Sequence, residues 1–168
     1  MEPETNTAPI WVLLGAKHGD NQQLLAIAEA LNLPFRTIAL QFNRLARQAP
    51  VLLGASRLSW QTDVPLEAPW PRALLAAGRK SVPAARWIRQ QSGGRTRLIH
   101  VNRPWAPLAW FDLIVSTPQY ALPERPNVLA NLLPFVRVPR DAMPHAALPF
   151  ESAALPRPWT GVLVGGAF

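Results

Sequence analysis

Between residues 73 and 89 the chain reads Ala-Leu-Leu-Ala-Ala-Gly-Arg-Lys-Ser-Val-Pro-Ala-Ala-Arg-Trp-Ile-Arg, and this stretch limits the fold more than any other. The apolar run stops at Gly78, three polar residues follow, and apolar residues then recur at helical spacing. A strand over 74–77, a tight turn, and a helix over 82–91 closed by Ser92-Gly93-Gly94 satisfy that order. A strand handing directly to a helix is the repeating unit of an α/β protein. Free N–H groups and the positive end of the helix dipole meet at the turn. Arg79, Lys80 and the Ser81 hydroxyl there make an expected anion site.

The same alternation runs through most of the chain. The continuous apolar run 10–15 ends in glycine, as a buried parallel strand does. Apolar residues at 24, 25, 27, 28 and 31 then predict a helix over 21–31, with Asp20 as its N-cap. Further strands are expected over 35–40, 97–101 and 113–116, and a short one over 128–132. The fold class is α/β: a Rossmann-like, mostly parallel sheet with helices on both faces. Ligands in such sheets sit beyond the carboxyl ends of the strands, so the polar loops after strands one, three, four and five should converge.

Residues 44–72 break the rhythm and are long for a loop in a compact domain. Short helical turns are expected there. Val51, Leu52, Leu53, Leu58, Trp60 and Val64 either fold back on the core or form an exposed lip facing a membrane or ligand.

Charge narrows the partner classes. The net charge is +7, and eight basic residues with no acid lie between Glu67 and Asp112. Such a block favours phosphate-bearing ligands or anionic membrane surfaces, unless it serves solubility alone. Nucleic acid is the weakest of the specific partners, because no helix-turn-helix, zinc-finger or aromatic RNP pattern accompanies the charge. Cysteine is absent, which excludes disulfides and thiolate metal sites. No apolar stretch approaches the roughly 20 residues that span a bilayer, and the polar, acidic start differs from a signal or transit peptide. A cytoplasmic protein is expected, with room for peripheral contact at the inner membrane face.

Three loops join the Gly78–Ser81 turn as candidates. In Gly15-Ala-Lys-His-Gly-Asp-Asn-Gln22 the glycines allow close backbone approach, and Lys17, His18, Asn21 and Gln22 offer donors. The alternative is an ordinary turn that Asp20 caps. In Asn102-Arg103-Pro104-Trp105, Arg103 either clamps a phosphate or carboxylate with its planar fork or lies beside a structural tryptophan. The loop after strand five holds Gln119, Tyr120, Glu124, Arg125 and Asn127, stiffened by three prolines. Glu124 would be a general base if desolvated, or else an exposed neighbour of Arg125. His100 ends an apolar strand and reads as a satisfied core histidine. No metal-ligand spacing, Walker loop, Gly-x-Gly-x-x-Gly or Ser–His–Asp set is present. No metal or cofactor is therefore expected, and no catalytic residue is assigned.

Several of these segments together resemble one family. They are the 17–22 loop leading into Leu-Ala-Ile-Ala-Glu-Ala-Leu31, then Ala-Ala-Gly-Arg-Lys80, Ser-Thr-Pro-Gln-Tyr120, Leu-Pro-Glu-Arg-Pro-Asn-Val128, and Pro-Trp-Thr-Gly-Val-Leu-Val-Gly-Gly166. The chain is similar over nearly its whole length to the "elongated mitochondria" mitochondrial-fission family. Its founding member is from plants, and its bacterial relatives are often labelled predicted nucleoside-diphosphate-sugar epimerases. The epimerase label fits poorly, since the sequence lacks both Gly-x-Gly-x-x-Gly and a Tyr-x-x-x-Lys pair.

The family resembles B-type glycosyltransferases, in which two Rossmann-like domains face a cleft. The resemblance implies an N-terminal, acceptor-side domain over 1–138, a proline-rich linker over 139–158, and over 159–168 the first strand of a C-terminal domain that would hold the nucleotide sugar. It implies a phosphate-bearing or lipid-linked acceptor, or, alternatively, a non-catalytic binding or membrane-recruitment module on the same fold.

Overall fold

Side chains in the apolar runs alternate between two packed layers, and that period of two fixes the faces of the sheet. The computed structural model describes residues 9–136. Ile10 and Val12 of strand β1 (Ile10–Leu14) and Leu75 and Ala77 of strand β5 (Ala73–Ala77) bury against Leu24 and Ala28 of helix α1 (His18–Ala30). Trp11, Leu13, Leu74 and Ala76 point the other way, onto Val82, Ala85 and Ile88 of helix α3 (Val82–Gln91). Both faces are covered, as a parallel sheet requires.

The remaining elements are β2 (Phe35–Ala39), β3 (Gln41–Phe42), α2 (Pro50–Leu53), β4 (Trp60–Gln61), β6 (Arg97–Val101), β7 (Leu113–Ser116) and β8 (Val128–Ala130). Among the described residues the main sheet has six strands in the order β2-β1-β5-β6-β7-β8, and every pairing in it is parallel. The expected α/β, Rossmann-like class is what the chain adopts. The strand order reverses between β1 and β5, so the chain leaves these two strands toward opposite faces.

Residues 44–72 belong to the crossover from β2 over β1 to β5, where a regular doubly wound fold places a helix. Short turns, including α2 and a 3-10 turn at Arg44–Arg47, and an antiparallel β3–β4 ribbon occupy that face instead. Aromatic rings supply the missing apolar cover. Trp70 lies 5.7 Å from Trp11 and 6.1 Å from Trp87, while Trp60 lies 5.7 Å from Trp87. The stretch divides between burial and exposure. Trp60, Leu66 and Trp70 join the core, whereas Val51, Leu52 and Leu58 are exposed, Leu52 to 78%.

Two details differ from expectation. Helix α1 begins at His18, and Asp20 lies inside its first turn rather than capping it. Asn21 explains the early start: its side chain accepts from the Gly15 N–H (2.8 Å) and donates to the Gly15 carbonyl (2.9 Å), folding the loop tightly onto β1. At the opposite end of the sheet Asp112 accepts from Arg97 (2.7 Å), Arg89 (3.0 Å) and the Leu98 N–H (2.8 Å). Burial pushes its carboxyl up, but these hydrogen bonds and the two arginine charges hold it below its ordinary value. The expected linker over 139–158 and strand over 159–168 lie outside the described residues.

Candidate functional site

A crevice opens where adjacent strands send their chains to opposite faces. A cavity of about 420 Å³ occupies that position, beyond the carboxyl ends of β1 and β5. Gly15, Lys17, Asp20 and Asn21 come from the loop after β1, and Gly78, Arg79, Lys80 and Ser81 from the turn after β5. Asn102, Arg103 and Trp105 follow β6, Tyr120 follows β7, and Phe42 arrives from the crossover ribbon.

The turn after β5 has the expected order. Gly78 adopts φ +73°, a short 3-10 turn covers Arg79–Ser81, and α3 follows with Pro83 in its first turn. Glycine alone takes this conformation without strain. A methyl group at position 78 would also stand 3.3 Å from Asp20 Oδ2. Gly78→Ala is therefore expected to destabilise the protein by about 1–3 kcal/mol, read as a lower melting temperature.

Arg79 and Lys80 are exposed on the cavity wall, and the Lys80 ammonium lies 5.8 Å from the Phe42 ring centroid. Ser81 corrects the sequence reading. Its hydroxyl is buried and lies 2.8 Å from both the Ala77 and Gly78 carbonyls, so its proton is directed into the turn rather than toward a ligand.

Of the other expected residues, Lys17, Asn21, Arg103 and Tyr120 line the cavity, with Asn21 committed to Gly15. His18, Gln22, Gln119, Glu124 and Arg125 are not among its lining residues. Gln119 still touches the site through a hydrogen bond to Tyr120. Glu124 and Arg125 are exposed, so the desolvation that a general base at Glu124 would need is missing. Asn127 donates to the Leu108 and Phe111 carbonyls (2.9 Å each) and pins its loop.

Arg103 lies 4.7 Å from the Trp105 ring centroid and donates to the Tyr120 carbonyl at 3.2 Å. Trp105 is 60% exposed, so it is not the structural tryptophan that was one of the two expectations.

The site residues missed in the sequence are Asp20, Asn102, Trp105 and Phe42. Asn102 donates to Asp20 Oδ1 at 3.3 Å, drawing that carboxylate across the crevice. Burial raises the Tyr120 phenol above its ordinary value and the Asp20 charge adds to it, against the Gln119 hydrogen bond. Beneath the wall, His100 is fully buried, with Nδ1 3.0 Å from the Asn102 carbonyl and Nε2 3.4 Å from the Gly78 carbonyl. A polar residue directly after an apolar strand was a usable signal for Asn102. Nothing local marks Phe42, because the long crossover delivers it.

The cavity thus sets Lys17, Arg79, Lys80 and Arg103 against one carboxylate, Asp20. That arrangement suits a ligand carrying more negative charge than one carboxylate supplies. Among the described residues no group of histidine, aspartate and glutamate is placed to hold a metal ion, and no helix is long and apolar enough to cross a membrane. The family model described as mitochondrial fission ELM1 matches residues 18–168. No curated protein and no solved structure matches the chain.

Proposed function

We propose, given that the chain belongs to the mitochondrial fission ELM1 family, that its crevice is the acceptor-side site of a glycosyltransferase-like protein. In this scheme Arg79 and Lys80 hold the phosphate of a phosphate-bearing or lipid-linked acceptor. Arg103 and Tyr120 border it, and a nucleotide sugar is presented from a further domain. The observation that carries the reading is the grouping of four cations around one carboxylate at the point where strand order reverses. Exposed Val51, Leu52 and Leu58, interspersed with Arg44, Arg47 and Arg57, suit peripheral contact with an anionic bilayer.

A second reading rests on a separate observation. Among the described residues the cavity wall carries no histidine and no glutamate, and its aspartate is held by Asn102. With Tyr120, Asp20 and the lysines left as the acid–base groups of that wall, the cavity also suits a module that binds a phosphorylated ligand without chemistry. Release of nucleoside diphosphate from a nucleotide sugar by the full-length protein would decide for the enzyme.

Phosphate binding itself is tested by Arg79→Ala combined with Lys80→Ala. Both side chains are exposed, so the variant should fold as the wild type does. Removing two charge-assisted contacts is expected to weaken glycosyl-phosphate binding by at least about tenfold in calorimetry. Wild-type affinity in the variant would overturn the assignment.

A further inference from the structure

The Lys17–Arg79–Lys80 cluster accounts for an anion, but not for Trp105, which lines the same cavity. Trp105 is 60% exposed although Arg103 stands over its ring. Large aromatic side chains normally bury most of their area, and an open indole on a cavity rim is available for ring contact. The backbone holds the ring there. Asn102, Trp105 and Ala121 have φ of +67°, +54° and +45°. Left-handed geometry is uncommon for any residue with a side chain and a real outlier for a bulky one. Such conformations persist where surrounding contacts over-determine them, and they cluster at ligand sites. The neighbouring side chains are tied across the crevice: Asn102 to Asp20, and Arg103 to the Tyr120 carbonyl. With the guanidinium over one face, the open area of the indole belongs to its other face and edge.

We infer that Trp105 is a stacking platform for the ring of a phosphate ester, whose phosphate is held by Arg79 and Lys80, which line the same cavity. The inference deepens the phosphate-site reading above and rests on it. An indole accepts the apolar face of a sugar or the flat face of a nucleobase, so the shared chemistry is a ring joined to a phosphoryl group. Arg103 serves as the positioning residue that braces the indole through its contacts with the ring and the Tyr120 carbonyl.

Calorimetry on wild type, Trp105→Ala and Trp105→Phe, with inorganic phosphate, glucose 1-phosphate and uridine monophosphate, tests this. At least one ester should bind about tenfold tighter than inorganic phosphate, the scale of one aromatic stack. Trp105→Ala should erase that preference, read in each variant as the ratio of ester to inorganic phosphate affinity, and Trp105→Phe should keep most of it. Whichever ester shows the Trp105-dependent gain identifies the ring as sugar or base. Equal binding of all three ligands to the wild type, or an unchanged preference in Trp105→Ala, overturns the stacking role alone. No binding of any of them to the wild type overturns the phosphate site together with it.

Discussion

Trp11→Ala is expected to lower unfolding free energy by about 3–5 kcal/mol, the range for deleting a buried tryptophan side chain. Trp11 has no solvent exposure and sits in β1, with β2 hydrogen-bonded on one side and β5 on the other. Strands flanked in this way cannot shift to fill a void, so most of the cavity would remain. The Trp70 ring at 5.7 Å and the Arg36 guanidinium 5.4 Å over the indole would each lose a partner. Domains of this size have stabilities of roughly 5–15 kcal/mol, so the loss would be a large share of the whole. Trp11→Phe should cost less. It keeps a ring in place and removes a buried Nε1–H that finds no acceptor among the described residues. Urea denaturation of both variants measures the difference. A loss below about 1 kcal/mol for the alanine variant would contradict this account of the core.

The second large effect depends on pH. Burial pushes the His100 imidazole down to about 4, with the Asn102 and Gly78 carbonyls pulling partly the other way. The unfolded chain takes up this proton near the ordinary value of 6.5, whereas the folded chain resists it until about 4. Between those limits the unfolded state binds more protons, so stability falls as the pH falls. The total approaches about 3 kcal/mol at the lower limit, since each unit of separation is worth about 1.4 kcal/mol. Asp112 acts in a different window. Its lowered carboxyl stabilises the fold above the ordinary aspartate range and loses that contribution only at more acidic pH. Unfolding free energies at stepped pH between 7 and 4, compared for wild type and His100→Gln, isolate the histidine. The wild type should lose about 3 kcal/mol more than the variant across that span; parallel curves would refute the assignment.

The strands were legible because β1 and β5 are buried on both faces, which demands continuous apolar runs such as Ile-Trp-Val-Leu-Leu and Ala-Leu-Leu-Ala-Ala. The turn at Gly78 was legible for a related reason, since a glycine between an apolar strand and a helical pattern has few other uses. Polar side chains were harder to place, because each had a local and a distant partner to choose between. Asp20 is a natural N-cap by residue type, yet Asn102, eighty-two positions along the chain, draws its carboxylate across the crevice. The Ser81 hydroxyl turns back to carbonyls three and four residues earlier, as serines at helix starts can do. Residues 44–72 gave the weakest signal. The fold of that segment comes from tryptophans meeting across the sheet face rather than from any periodicity of its own.

That irregular crossover has a consequence for motion. Its regular hydrogen bonding is confined to single turns and a two-residue ribbon, so it should open locally at a lower free-energy cost than the sheet beneath it. Phe42 belongs to that ribbon and also walls the cavity. Each opening therefore removes part of the wall, and a ligand that requires Phe42 must hold the segment closed. Amide-exchange protection at Phe42 and across the crossover is therefore expected to rise when the cavity is occupied.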